Sequence, residues 1–176
     1  MHSISFALNL KGFCVAQEPF FVHTAFMRAV IQRVLEAKVT VDREVVGQVE
    51  GGLLVYLGVE KGDTNDDMIW LAEKIIKMRI FPDSEERMQF PVTEVAGGIL
   101  VISQFTLFAD FSKGMRPSFT QAEVPQEARA MYDAFVLYLS SKQIPVRAGI
   151  FGAHMVVDSV NDGPVTILLD SKEKVA

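Results

Sequence analysis

The sequence predicts an α/β protein with a mainly antiparallel, barrel-like sheet flanked by two main helices. Short β-branched or alternating runs recur along the chain, only two stretches carry helical spacing, and Gly, Pro, Asn and Asp clusters separate them. With 176 residues and 49% hydrophobic content, the chain is sized for one sizeable core rather than two. Strong periodicity begins only after Met27, so residues 27–176 are read as a single domain. Residues 1–26 are read as an extension, either poorly ordered or produced by a misassigned start.

The elements follow in order. Ala29–Leu35 is short and β-branched, and Lys38–Asp42 alternates apolar with polar, so the two read as strands of an antiparallel pair. Gly51-Gly52 punctuates the chain before Leu53–Val59, a continuous apolar run that suits a buried strand. Asp63-Thr64-Asn65 offers caps for a helix from about Asn65 to Met78. Glu85–Pro91 reads as an exposed loop, and Gly97-Gly98 announces a strand from Ile99 to Thr106. Pro125 opens a second helix to about Ser141, with Ala128, Met131, Phe135 and Leu139 as its apolar stripe. Val146–Phe151, Met155–Val160 and Val165–Asp170 read as three closing strands.

Composition excludes several functions. A net charge of -5 means that no broad cationic field holds nucleic acid, so any RNA must be met by local contacts and DNA binding is not expected. No apolar run reaches the roughly 18 residues needed to cross a bilayer. Cys14 is the only cysteine, so no internal disulfide forms and the cytoplasm is the expected location. His2, His23 and His154 show no ligand spacing, so neither a metal nor a cofactor is expected. His154 follows a glycine-rich turn and suits a surface position better than a catalytic base. No G-x-S-x-G elbow is present, which argues against a Ser-His-Asp hydrolase. The acidic pairs Asp66-Asp67 and Glu85-Glu86 are expected in solvent.

Two segments carry more information. Ser103-Gln104-Phe105-Thr106-Leu107 sets polar side chains at the end of an apolar strand, where strand ends often build sites. Asn161-Asp162-Gly163-Pro164-Val165-Thr166 interrupts two β-branched runs with a proline that cannot donate a ladder hydrogen bond. Together they resemble the two signature motifs of the D-aminoacyl-tRNA deacylase family. The resemblance extends to Met27–Val34, to Lys113-Gly114 with Arg116-Pro117-Ser118-Phe119, and to Gly149-x-Phe151-Gly152-Ala153-x-Met155. It covers Met27 to about Asp170.

That resemblance implies a homodimer with its active sites at the subunit interface, and hydrolysis of D-aminoacyl-tRNA, with mischarged glycyl-tRNA a second substrate. It implies that Ser103, Gln104, Phe105 and Thr106 line the catalytic strand end, with Met155 in the substrate pocket. It also implies a cis Gly163-Pro164 bond, inserted from the partner subunit as a chirality selector and oriented by Arg33. Either Thr106 or the tRNA 2'-hydroxyl then activates the attack. The alternative is a nucleic-acid-binding or editing-type module of the same fold without independent turnover. Lys113, Arg116, Arg28 and Arg147 are the basic candidates for the pocket mouth, although single basic residues on an acidic chain usually sit in solvent or surface pairs.

Overall fold

The first strand is longer than either piece expected of it. In the computed structural model, which describes residues 26–174, Arg28–Val41 forms one strand, β1, that turns directly into β2, Glu44–Gly58. Ala29–Leu35 and Lys38–Asp42 therefore do not pair with each other. Apart from Asp42, which lies in the turn, they are successive parts of β1, and both pair with β2. Asp42 and Arg43 turn the hairpin with φ of 49° and 71°, the left-handed pair whose twist matches the flanking strands. The expected extension falls almost wholly outside the described residues.

Gly51 and Gly52 sit inside β2 rather than ending it. Gly52 has φ 131°, and a Cβ added there would lie 2.0 Å from the Gly98 carbonyl oxygen, so the two backbones touch where β2 meets the strand Gly98–Ser103, β5. Between them runs α1, Asn65–Lys77, capped by Thr64. Asp67 was expected in solvent beside Asp66, yet it is buried, because its carboxylate closes a capping box on the Thr64 N–H at 3.0 Å. The predicted loop at 85–91 contributes β4, Met88–Phe90, which pairs with β3, Phe81–Pro82.

The second helix, α2, spans Pro125–Ser140 and begins with proline at its first turn, as predicted. Its fully buried members are Tyr132, Phe135 and Leu139, so Tyr132 joins the core face while Ala128 and Met131 are only partly buried. β6 is shorter than expected, Val146–Ala148, and the last two predicted strands fuse into β7, Val156–Asp170.

The sheet order is β6-β5-β2-β1-β7. β1 runs antiparallel to both neighbours, but β2–β5 and β5–β6 are parallel. The sheet is thus mixed and open, not a closed and mainly antiparallel barrel. Parallel neighbours need crossover connections, and α1 and α2 supply them. Both helices pack on one face, where Leu53, Val55 and Val101 meet Leu71, Ile75 and Phe135. On the other face Leu54, Leu100 and Ile102 pack with Val34, Val39 and Val49 from the distal half of the β1–β2 hairpin. That half curls over β5 so closely that a Cβ on Gly47 would lie 3.1 Å from the Ala148 carbonyl of β6. The barrel-like curvature is real, but no ladder closes it.

Two expectations follow. Gly52→Ala combines a left-handed φ with a backbone clash and should cost about 3 kcal/mol in urea unfolding. Gly114→Ala, at φ 129° but with nothing within 4 Å of the added carbon, should cost only about 1 kcal/mol; equal losses would mean that the β2–β5 approach does not constrain the fold. The second concerns Glu73, which ties α1 to α2 by accepting from Tyr138 Oη at 2.7 Å and pairing with Lys77 at 2.6 Å and Lys142 at 2.9 Å. Hydrogen bonds from Lys77 first, then Lys142 and Tyr138, hold its carboxyl down at about 2, from an ordinary 4.5. A depressed carboxylate stabilises the fold above its unfolded pKa and loses that contribution as pH falls toward the folded one. The stability gap between wild type and Glu73→Gln should therefore be about 1 kcal/mol at pH 6, given the side chain's partial solvent access, and close by pH 2. A gap independent of pH would remove the network from the ledger.

Candidate functional site

Strand β5 stops at Ser103 and does not run on to Thr106. Phe105–Phe108 instead forms a single 3-10 turn. Gly58, at the end of β2, makes room for it, since a Cβ there would lie 2.7 Å from the Phe108 ring and 3.1 Å from the Gln104 carbonyl oxygen. Gln104 donates its backbone N–H to the Leu57 carbonyl at 2.7 Å. Arg28 ties down the far end: Nη1 donates to the Leu107 carbonyl at 2.8 Å, Nε donates to Asp170 Oδ2 at 3.2 Å, and the guanidinium lies 5.1 Å from the Phe108 ring centre. Arg28 is accordingly a structural tie and not a free cation at a pocket mouth.

Beside this strand end opens a cavity of about 380 Å³ with Val59, Ser103, Phe105, Phe119, Phe151 and Met155 among its walls. Phe105 and Phe119 meet edge to face, with centroids 4.9 Å apart. Behind the wall residue Phe151 stands Tyr132, with ring centroids 5.8 Å apart, and the Val101 carbonyl accepts from Tyr132 Oη at 2.8 Å and from the Gly149 N–H at 2.9 Å. Burial pushes the Tyr132 phenol up, so it stays a neutral donor. Met155 packs directly on Gly149, its Sδ 2.5 Å from where a Cβ would be, so a side chain there would displace the thioether. Phe119 and Phe151 were not singled out as site residues from sequence, although both stood inside the quoted motifs. Val59 carried no signal beyond its strand.

The cavity therefore gathers Ser103, Phe105 and Met155. Gln104 and Thr106 lie alongside and bond to each other, with Gln104 Nε2 donating to Thr106 Oγ1. The partner of the Thr106 hydroxyl is thus an amide donor and not a base. His154 is exposed. No group of three or more His, Cys, Asp and Glu side chains able to hold a metal occurs among the described residues.

Gly163 and Pro164 lie elsewhere. Opposite β1, Gln32 pairs with Thr166 but Val34 pairs with Asn161, so residues 162–165 leave the ladder as an excursion of β7. Its Gly163-Pro164 bond is cis, Gly163 has φ 125°, and both residues are exposed. Asn161 closes the base: Oδ1 accepts the Val165 N–H at 2.9 Å, and Nδ2 donates to the Val165 carbonyl and to Thr166 Oγ1, each at 3.3 Å. Arg33, only 8% exposed, braces it from beneath. Its Nη1 donates to the Ile80 carbonyl at 2.5 Å, and Nε forms an ion pair with Asp162 at 2.8 Å without hydrogen-bond alignment. Nη2 sits 3.2 Å from where a Gly163 Cβ would be. Asp162, Ile80 and Asn161 were not assigned as site residues from sequence; Asn161 had a signal in the motif, whereas Ile80 acts through its backbone and left none.

In one chain these two halves stand apart, because β2 and β1 intervene between β5 and β7. At roughly 4.8 Å per strand, that is about 14 Å of sheet. An open mixed sheet backed by crossover helices, with a largely apolar cavity at one strand end, defines an α/β protein. The family model described as D-Tyr-tRNA(Tyr) deacylase matches residues 30–170, and the chain belongs to that family. It is 53% identical over 147 residues to a D-aminoacyl-tRNA deacylase of Alkaliphilus metalliredigens, covering 84% of this chain and 99% of that one. With a relative of the same name from Geobacter metallireducens it shares 54% over 145 residues, covering 82% and 96%. Among solved structures it resembles a c-Myc DNA unwinding element binding protein, with TM-score 0.76 and 36% identity over 81% of this chain and 97% of that one. A eukaryotic probable D-amino acid tRNA deacylase, with TM-score 0.70 and 18% identity over 82% and 99%, shares the fold.

Removing the Asn161 side chain tests whether it holds the excursion. Asn161→Ala should lose about 1.5 kcal/mol and speed exchange of the Val165 amide roughly tenfold. Unchanged exchange would assign the brace to Arg33 alone.

Proposed function

We propose that this protein hydrolyses the ester bond of D-aminoacyl-tRNA to free tRNA and D-amino acid, as a cytoplasmic homodimer, and that it also accepts mischarged glycyl-tRNA. The observation that carries the reading is the exposed Gly163-Pro164 excursion, braced by Arg33 and Asn161, on a strand that β1 and β2 separate from the cavity-bearing β5. A second copy would bring one chain's excursion to the other's cavity. In support, β7 is an open sheet edge, and Leu35, Val156, Val160 and Leu168 are exposed on it and its neighbour.

In this scheme the carbonyls of the partner's excursion accept from the substrate's α-amino group. That fixes the amino acid without touching its side chain. A D-residue then directs its side chain to open space, and an L-residue drives it into the pocket wall, so discrimination is steric. Glycine has no side chain to exclude.

The ester carbonyl lies at the strand end. The Gln104 N–H is spent on Leu57, whereas Phe105 and Thr106 present theirs at the open start of the 3-10 turn, where a short helix has no internal acceptor. These two donors stabilise the oxyanion as water attacks the ester carbon. The tetrahedral intermediate collapses by releasing the tRNA 3'-oxygen, which takes up a proton. Since Thr106 lacks a base, the adjacent 2'-hydroxyl of the terminal adenosine directs the water. Ser103 and Met155 line the amino-acid pocket. A DNA-binding reading without turnover is disfavoured by the net charge of -5.

The test is deacylation of D-Tyr-tRNA against L-Tyr-tRNA by purified protein, with two variants alongside. Only the D ester should be cleaved. Gly163→Ala sets a Cβ 2.7 Å from Val165 Cγ2 and 3.2 Å from Arg33 Nη2, so it should slow cleavage about 100-fold. Thr106→Val should retain most activity; its complete loss would restore the threonine nucleophile, and equal cleavage of D and L esters would end the chirality reading.

A further inference from the structure

One quoted motif has no role in the scheme above. Lys113-Gly114-x-Arg116-Pro117-Ser118 forms a loop whose neck is a two-way bridge: Asp110 and Ser118 each donate a backbone N–H to the other's carbonyl at 2.8 Å. The next residue, Phe119, is already a wall of the cavity and packs on Phe105. The loop thus stands at the cavity's rim.

It exposes both apolar and basic side chains. Met115 is 93% exposed and Phe111 55% exposed, and Lys113 and Arg116 are both exposed. Neither cation forms a salt bridge among the described residues, although the Asp110 carboxyl is held below its ordinary range by hydrogen bonds from Ser112 and, more weakly, by the nearby charge of Lys113; Arg28, by contrast, is paired with Asp170. Of the four basic residues expected at the pocket mouth, Arg147 donates to the carbonyl of Val146 beside it, on strand β6. Lys61 adds a charge nearby, its Nζ donating to the Thr120 carbonyl at 2.6 Å. Exposed cations interleaved with an exposed aromatic ring, beside a pocket for a nucleoside ester, match how single strands are held: charges follow phosphates and rings take bases.

We infer that the loop at residues 111–117 is the docking surface for the single-stranded 3' end of the tRNA. Lys113 and Arg116 meet its phosphates, and Phe111 stacks a base upstream of the terminal adenosine. This rests on the deacylase reading and supplies the local contact that an acidic protein needs. It also separates affinity from chemistry, since neither cation touches the ester.

The experiment measures binding of uncharged tRNA and of a single-stranded CCA-ended RNA at several salt concentrations, for wild type, Lys113→Ala/Arg116→Ala, Phe111→Ala, and Lys74→Ala/Lys77→Ala on α1 as a charge control. Cleavage of D-tyrosyl-adenosine, which carries only the terminal nucleoside, is followed in parallel. The loop double variant should bind both RNAs at least tenfold more weakly and lose about 1.4 from the slope of log K against log salt. Phe111→Ala should weaken binding about fivefold or more with the slope kept. The control should do neither, and D-tyrosyl-adenosine should be cleaved normally by all. RNA affinity and slope unchanged in the double variant, or lowered equally in the control, would overturn the inference. If wild type cleaves no D ester, the deacylase reading falls, while the RNA binding data still decide the loop.

Discussion

The architecture turns on the contact between Gly52 and Gly98. Two backbones meet there without side chains between them, and that approach lets β5 lie parallel against β2 from Gly52 to Leu57. Six residues further along β2, Gly58 again has no side chain, and the turn Phe105–Phe108 settles into the space. A glycine at each end of one strand pair thus fixes both where β5 starts and where its polar end comes to rest. The apolar residues between them fill both faces, Leu53, Val55 and Leu57 under the helices and Leu54 under the curled hairpin. Each fully buried leucine contributes about 1.5–3 kcal/mol, so the register between the glycines is strongly specified.

The other end of the sheet is organised by departure from regularity. Leaving the ladder for residues 162–165 exposes backbone groups that need partners. Asn161 supplies three hydrogen bonds and Arg33 a buried cation against Asp162. A guanidinium buried to this degree is costly unless paired, and the pairing leaves it little freedom to move. The result is a rigid, protruding dipeptide on an edge strand. In the proposed dimer that rigidity matters more than any functional group, because selection by main-chain carbonyls works only if the carbonyls hold still.

Site and charge follow one logic. The cavity walls are mainly aromatic and aliphatic, with Ser103 and Glu123 the polar side chains among them, and the Thr106 hydroxyl alongside is paired to an amide. Such a site has few ionisable groups to tune, so its chemistry depends on placement and on the substrate's own hydroxyl. A protein of net charge -5 has no long-range attraction for RNA, so in the proposed scheme it holds RNA by a few contacts next to the pocket, where Lys113 and Arg116 are exposed and form no salt bridge among the described residues.

The sequence alone determined that this is an α/β chain with helices opening at Thr64 and Pro125, because caps and an N-terminal proline act locally and within a few residues. It also determined the family, because the motifs at Ser103–Leu107 and Asn161–Thr166 are contiguous. It misjudged strand limits, joining and number. Glycines that look like breaks, Gly51-Gly52 and Gly163, lie within strands, since whether a glycine ends a strand or admits a neighbouring backbone depends on what packs against it. Parallel pairing of β2 with β5 was likewise invisible, because alternation reports which face is buried and not which strand lies beside it. Tertiary structure alone decided that Arg28 is tied to Asp170 and Leu107, and that Phe119 and Phe151 wall one cavity. Those facts join residues up to 142 positions apart, and no local signal reaches that far.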